Sequence, residues 1–131
     1  MAQDTGSVSQ NTQKAVIPLI QTVFLSKNMM GVKEADQVKA RVFLEDMVLH
    51  SDSTWLNGVY EIDLEYYGLE GTKLYKNTIS LPLKAELPSW WQEREKSQIQ
   101  LSMENVAVEV LAPYVLEFSG DIVATTFAGE E

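Results

Sequence analysis

The sequence contains no cysteine and only one histidine among its 131 residues. The absence of cysteine excludes disulfide bonds, a thiol nucleophile and zinc or iron–sulfur sites with cysteine ligands. Basic residues are also scarce, since 10 Lys and Arg stand against 19 Asp and Glu and give a formal net charge of −9. This charge disfavours sequence-independent binding to nucleic acid or to an anionic membrane surface, because both depend on Lys and Arg.

Long apolar runs are missing as well. The run at residues 15–25 is interrupted by a proline and a glutamine, and it is far shorter than the roughly 20 residues that span a bilayer. Residues 1–14 lack the basic and apolar regions of a secretory signal, so we expect neither a signal peptide nor membrane insertion. The sequence predicts a flexible tail over residues 1–14, a single domain over 15–127 and a flexible terminus over 128–131.

Apolar and polar residues alternate with a period of two over most of the chain, which predicts β-strands. The clearest example is the segment 56–66. One of its faces is apolar and carries Leu56, Gly58, Tyr60, Ile62, Leu64 and Tyr66. The opposite face carries the carboxylates of Glu61, Asp63 and Glu65, so the segment is predicted to be a half-buried strand with an acidic outer face.

Further alternating runs predict five more strands. These runs lie at residues 15–25, 37–49, 74–83, 98–111 and 114–127. Together they predict an all-β, antiparallel, sandwich-like domain of six or seven strands. The apolar phase shifts at residues 45–46 and 104–105, and each shift predicts a β-bulge. Short turns at 50–54 and 68–71 predict hairpins, and Gly120 predicts a break or bend in the last strand.

Prolines and glycines mark the special positions of these strands. Pro18 predicts that the first strand lies at a sheet edge, because proline cannot donate a hydrogen bond to a central ladder. Pro82 predicts a bulge or a strand end, and Gly58 predicts a bend or a close approach of another backbone. The segments Lys33–Lys39 and Pro88–Lys96 have compositions that could form a short helix.

Several of these segments resemble the SPOCS domain family. The strand LNGVYEIDLEY at residues 56–66 is similar to that family's glycine-containing strand ending in tyrosine. The segment ISLPL at residues 79–83 resembles the family's apolar–Pro–aromatic step, with Leu83 where the family has phenylalanine. The segment AELP at residues 85–88, which returns to an apolar residue followed by proline, also fits the family pattern.

The resemblance extends over residues 15–126 and includes the two valine-rich strands near the end of the chain. It implies a β-rich interaction module used in building the spore envelope of endospore-forming bacteria. It also implies partners among spore-envelope or cell-wall-associated proteins, and a location in the cytoplasm of the mother cell or in the spore coat. It carries over no catalytic residues and no cofactor.

Catalytic patterns are missing from the chain. His50 lies in the polar segment HSDST, where Ser, His and Asp are sequence neighbours on a predicted tight turn. A catalytic triad needs a base and a nucleophile that converge from supported positions beside an oxyanion hole, so we interpret this segment as a hydrophilic turn. We therefore predict no enzymatic activity and no catalytic, cofactor-binding or metal-binding residue.

The acidic strand face of Glu61, Asp63 and Glu65 admits three interpretations. It could be a solvated face whose charge is partly neutralised by basic residues on neighbouring strands. Candidates for that role are Lys39, Arg41, Lys73 and Lys76. It could hold Ca²⁺ together with Asp52 or Glu45, or it could dock a basic partner.

The adjacent pair Trp90 and Trp91 is the most unusual local feature. Two neighbouring side chains cannot both point inward from one strand, so one ring is expected to close the end of the sandwich while the other lies near the surface. The exposed ring, and Tyr67 on the outer face of its strand, are candidates for contact with a partner or a glycan.

The leading functional prediction is a non-enzymatic structural or protein-interaction module that makes contacts through sheet faces or edges, including contacts in a homo-oligomer. Its candidate contact residues are Trp90, Trp91, Tyr67, Glu61, Asp63 and Glu65. The alternative prediction is a carbohydrate-binding module for cell-wall glycan that uses the surface aromatics as stacking platforms.

Overall fold

The computed structural model describes residues 13–50, 52–91 and 99–126, with only the backbone of His50. These residues form strands and turns without a helix. The six strands are β1 (Lys14–Phe24), β2 (Val32–His50), β3 (Ser53–Gly68), β4 (Leu74–Glu86), β5 (Ile99–Ala112) and β6 (Val115–Thr126). The predicted all-β class is confirmed. Of the tails expected over 1–14 and 128–131, residues 1–12 and 128–131 lie outside the described residues, whereas Lys14 already belongs to β1.

The strands form two antiparallel sheets of three strands that pack face to face as a sandwich. Sheet I has the order β1-β6-β5, and sheet II has the order β2-β3-β4. Sheet II is a meander of consecutive strands, so the two predicted hairpins are confirmed. In sheet I, β6 lies between β1 and β5. The central strands β3 and β6 therefore carry most of the core.

The core lies between the two central strands. The alternate residues of β3 predicted to be apolar and inward-facing are all buried, from Leu56 to Tyr66. Tyr60 of β3 stacks on Phe118 of β6 with their ring centroids 5.7 Å apart, which joins the two sheets at the centre of the sandwich. Stacked aromatic pairs add about 0.5–1.5 kcal/mol to the stabilisation from burial.

Both predicted bulges are present, and each faces a glycine of a central strand. In β2 the register shifts between Leu44 and Asp46, opposite Gly58 of β3. A Cβ atom at Gly58 would overlap the backbone carbonyl oxygen of Phe43, so the predicted close approach of backbone is confirmed. In β5 the register shifts after Glu104, where Asn105 adopts a φ of 56°. Because neither glycine has a side chain, the bulged strand can pack closely beside the central strand at both positions.

The break predicted at Gly120 is absent, because β6 continues through this residue. Gly120 pairs with Leu19 of β1 and lies beside the bulge of β5. A Cβ at this position would lie 3.2 Å from Met103 Sδ and 3.2 Å from Val106 Cγ1. The glycine thus fits the bulge of the neighbouring strand and does not end its own strand.

Pro18 and Pro82, the two prolines to which the sequence assigns a special strand position, both lie on edge strands. β1 is an edge of sheet I, as Pro18 predicted. Leu25 N donates to Tyr114 O, so the odd-numbered residues of β1 direct their backbone groups toward β6. The even-numbered residues, which include Pro18, therefore direct theirs away from β6. Pro82 lies inside β4, and the register between β3 and β4 has no shift there, so the predicted bulge or strand end is wrong. A proline is tolerated there because β4 is also an edge and Pro82 belongs to the outward-directed positions.

Of the two predicted helical segments, the first is wrong. Lys33–Lys39 belongs to β2 and pairs with β3, with register irregularities after Val32 and Ala35. Cross-strand pairing and burial against the core outweigh a weak helical propensity over so short a segment. In the second segment, residues 88–91 form a turn in which Trp91 N donates to Pro88 O at 3.0 Å. The remainder of that segment, residues 92–96, lies outside the described residues.

Candidate partner-binding surfaces

The acidic strand face of β3 lies on the outer face of sheet II, where basic residues of β2 and β4 neutralise it. Arg41 forms salt bridges with both Glu61, at 2.7 Å, and Asp63. Lys76 Nζ lies 3.3 Å from Glu65 Oε2. The predicted cross-strand neutralisation is therefore confirmed for all three carboxylates.

These contacts shift the pKa values of Asp63 and Arg41. The hydrogen bonds from Arg41 and Thr78 lower the pKa of Asp63 below its usual value, and the Thr78 hydroxyl donates to Asp63 Oδ1 at 2.8 Å. The hydrogen bond to Glu61 raises the pKa of Arg41. Beside Asp63 lies a shallow, polar depression of about 240 Å³. Within the described ranges, no group of three or more His, Cys, Asp or Glu could hold a metal ion.

On the outer face of sheet I, in contrast, acidic residues lie opposite other acidic residues. Glu104 of β5 lies directly opposite Asp121 of β6, and further along the same strands Glu109 lies opposite Glu117. We call these the carboxylate pairs. Across the part of the chain that the structure describes, none of their four side chains forms a salt bridge. Asn105 Nδ2 donates to Asp121 Oδ2 at 2.9 Å, which is a neutral contact. Like charges placed directly opposite each other destabilise a sheet.

An apolar row runs beside the carboxylate pairs on the same outer face. It consists of outward-facing apolar residues of β1, namely Val16, Pro18, Ile20 and, beyond the polar Thr22, Phe24, which we call the β1 stripe. Ile20 is 70% exposed and Phe24 is 75% exposed. Leu111, at the end of β5, adds another exposed apolar side chain. Because β1 is an edge strand and its even-numbered side chains face away from the core, no element among the described residues covers them.

The two tryptophans separate as predicted. Trp91 is 8% exposed and packs in a small core at one end of the sandwich with Leu56, Leu87 and Ile99. Trp90 is 57% exposed, and its ring centroid lies 6.1 Å from that of Trp91. The buried ring closes the end of the sandwich, and the other ring is free to contact solvent or a ligand.

Tyr67 is not part of the same surface as the tryptophans. It pairs with Leu74 at one end of β3, whereas the backbone of Leu87, just before the tryptophans, is bonded to Thr54 at the other end. Thirteen residues of extended strand place these ends roughly 40 Å apart. The three aromatic residues therefore do not assemble into one stacking platform.

The predicted polar turn after β2 lies partly outside the described residues. Ser51 and the side chain of His50 are outside the described residues, and the backbone of His50 pairs with Ser53. Within the residues that are described, no helix has the length and apolar character needed to cross a membrane.

Sequence reasoning missed the outer face of sheet I. The alternation in β5 and β6 shows that Glu109 and Glu117 point outward, but their direct opposition depends on the register between the two strands. The β5 bulge after Glu104 shifts that register, and only the paired strands reveal it. The exposure of the β1 stripe was likewise hidden, because an edge strand with apolar residues on both faces has no polar face to signal its orientation.

Comparison with family models, with curated proteins and with solved structures finds no significant match to this chain.

Proposed function

We propose that this chain is a non-enzymatic structural or protein-interaction module that binds its partner through the outer face of sheet I. The observation that carries the proposal is the β1 stripe, in which Ile20 and Phe24 are largely exposed. Burying a large apolar side chain gains about 1.5–3 kcal/mol, and the isolated chain forgoes this gain at both positions. Several exposed apolar side chains on one face are typical of interaction surfaces.

The face of the sheet is a better contact surface than its edge. Each of the free edges, β1 and β4, carries one proline at an outward-directed backbone position, Pro18 and Pro82. A proline there removes a donor and places its ring where a pairing strand would lie, which opposes edge-to-edge addition. The other two edge strands, β2 and β5, contact each other, so they are less accessible to an added strand than β1 and β4.

The resemblance to SPOCS domains supports partners in the spore envelope or the cell wall, and a location in the mother-cell cytoplasm or the spore coat. These assignments belong to the proposal. Recovery of the protein from purified spore coats, together with expression confined to sporulation, is the result expected from them. Expression during vegetative growth and absence from spores would remove the spore-envelope assignment while leaving the interaction surface to be tested separately.

The interaction surface is tested by the double variant Ile20→Ser/Phe24→Ser. Its matched control is Phe43→Ser/Leu74→Ser, which removes exposed apolar residues from the outer side of sheet II. Light scattering after size-exclusion chromatography measures self-association, and affinity capture from the source organism measures retention of other proteins. We expect the wild type and the control to associate alike and the sheet I variant to lose association. A strict monomer that retains no partner, or equal loss in both variants, would contradict the proposal.

Glycan binding has less support, since Trp91 is buried and Tyr67 lies at the far end of β3. The function would depend on the exposed ring of Trp90. Retention on insoluble peptidoglycan, cellulose or chitin that is abolished by Trp90→Ala would support it. Retention of neither form, or equal retention of both, would remove it.

A further inference from the structure

The two outer faces of the sandwich differ in how their charged residues are paired. On sheet II, carboxylates of β3 lie opposite bases: Glu61 opposite Arg41, Asp63 opposite Lys39 and Glu65 opposite Lys76. On sheet I, the carboxylate pairs place acid opposite acid, with no salt bridge from any described residue. One fold thus contains a compensated face and an uncompensated face, and the uncompensated face is the one that carries the β1 stripe.

We propose that the outer face of sheet I binds a basic, amphipathic segment of another protein, with Lys or Arg side chains on the carboxylate pairs and apolar side chains on the β1 stripe. This inference rests on the proposed function and specifies the partner's chemistry. The complementary charge would relieve the repulsion within each pair, and the apolar side chains would cover Ile20 and Phe24.

The rows of the face set the spacing of the partner's side chains. Asp121 is flanked by Pro18 and Glu104, while Glu117 is flanked by Thr22 and Glu109. Between these acidic rows, Ser119 lies opposite Ile20 and Ala107, which forms an uncharged row. Four residues of extended strand separate Glu117 from Asp121, a distance of about 13 Å. An extended partner with basic residues at positions i and i+4 and an apolar residue at i+2 matches this order.

A second copy of this chain is a poorer occupant. Two copies packed through the outer faces of sheet I would bring both sets of carboxylate pairs into one interface, and burying like charges together is strongly unfavourable. The formal net charge of −9 adds a general repulsion between copies. Self-association through this face is therefore an outcome that counts against the inference.

The test uses a fluorescein-labelled peptide, VTKTITKTV, whose lysines have the i, i+4 spacing. Its controls are VTETITETV, in which the charge is reversed, and STKTSTKTS, in which the apolar residues are replaced. Fluorescence anisotropy at low ionic strength measures binding to the full chain. We expect the first peptide to bind at least about tenfold more tightly than either control, because both its charges and its apolar residues are needed.

Variants of the protein locate the binding. Glu104→Gln/Glu109→Gln removes one carboxylate from each pair, and Glu34→Gln/Glu86→Gln removes two exposed carboxylates from sheet II. Both change the net charge equally, so a general attraction to an acidic protein would affect them alike. We expect about a tenfold loss of affinity in the first variant and less than a twofold change in the second.

A thermal melt gives a readout that is independent of any ligand. At low salt, Glu104→Gln/Glu109→Gln is expected to raise the melting temperature because it removes opposed like charges, while the sheet II variant lacks this gain. A lowered melting temperature in the sheet I variant would overturn the argument from uncompensated charge.

The outcomes separate the two proposals. Failure of VTKTITKTV to bind, equal binding of the acidic peptide, or an unchanged affinity in Glu104→Gln/Glu109→Gln overturns the basic-partner inference. If Ile20→Ser/Phe24→Ser still abolishes association with native partners in that case, the interaction module stands and only its partner chemistry falls. A dimer that this same variant disrupts would assign the face to a second copy.

Discussion

Gly58 lies opposite the bulge in β2, and its missing side chain leaves the space that the backbone carbonyl oxygen of Phe43 occupies. The overlapping atom belongs to backbone within a paired strand, so it cannot swing aside as a side chain could. Gly58→Ala is therefore expected to lower the free energy of unfolding by roughly 3 kcal/mol, measured by urea denaturation.

Gly120 provides the matched control for this substitution. It also lies on a central strand beside a bulge, but its nearest neighbours are the side chains of Met103 and Val106. A methionine side chain adapts easily, so Gly120→Ala is expected to cost less than about 1 kcal/mol. Equal losses at the two glycines would show that backbone overlap is not what requires glycine at position 58.

The adjacent tryptophans are expected to differ sharply when truncated. Trp91→Ala removes the ring that closes one end of the sandwich and should lower the free energy of unfolding by about 3–5 kcal/mol. Trp90→Ala removes an exposed ring and should change it by no more than about 0.5 kcal/mol. Thermal or urea unfolding of both variants checks the assignment, and a reversed order of stability would refute it.

Two buried tyrosines give a second contrast. The Tyr66 hydroxyl donates to Met30 O at 2.8 Å and accepts from Asn77 Nδ2 at 2.9 Å. Tyr66→Phe leaves both groups without this partner and should cost about 1–2 kcal/mol. The Tyr60 hydroxyl is buried and has no hydrogen-bond partner among the described residues, so Tyr60→Phe should be neutral or slightly stabilising. A large loss of stability in Tyr60→Phe would reveal an interaction of that hydroxyl.

The same tyrosines predict a loss of stability in alkali. Burial raises the pKa of Tyr60 and of Tyr66 above the ordinary value of 10.0. Above that pH the unfolded chain releases protons that the folded chain retains, so the free energy of unfolding falls as the pH rises. Denaturant midpoints between pH 8 and 11 should fall less steeply in Tyr60→Phe than in the wild type. Parallel curves would contradict this cause.

Asp63 predicts a loss of stability in acid. Because Arg41 and Thr78 lower its pKa in the folded state, its stabilising contribution is complete above the ordinary value of 3.8 and disappears as the pH falls through the folded-state pKa. The wild type should therefore exceed Asp63→Asn in stability at pH 7 and lose that advantage at pH 2. Glu34→Gln, at an exposed position outside these salt bridges, should show no comparable change. A constant difference between wild type and Asp63→Asn would count against the ion pair.

The period-two pattern was sufficient to predict the central parts of the three strands of sheet II, both hairpins and both bulges, but it missed residues 32–36 of β2 and 84–86 of β4. It succeeded because β3 has one uniformly apolar face, and a phase shift in such a pattern leaves few alternatives to an inserted residue. Pro18 correctly indicated an edge strand, because a proline cannot donate to a central ladder. Pro82 was misplaced because a proline at an outward-directed position of an edge strand does not end the strand.

The candidate surface was predicted less well, for a reason that lies in pairing. Glu61, Asp63 and Glu65 form an evident acidic row, yet Arg41 and Lys76 on neighbouring strands compensate it. Glu109 and Glu117 are eight positions apart and attract no notice in the sequence, yet the register places them opposite each other. Whether a charge is balanced depends on which strands become neighbours, and a period along one strand carries no information about that.

The pairing of β1 with β6 also bears on how the chain reaches its native state. Gln13 N donates to Thr126 Oγ1 across a separation of 113 positions. Sheet II is built from consecutive strands, whereas sheet I requires distant parts of the chain to meet, at a greater cost in chain entropy and a lower rate. Because β6 can pair locally with β5, the late element is β1, and we expect pulse-labelled hydrogen exchange during refolding to protect β2, β3 and β4 before β1. The β1 stripe would then lie on an ordered sheet only at the last stage of folding, which delays binding of a partner until the fold is complete.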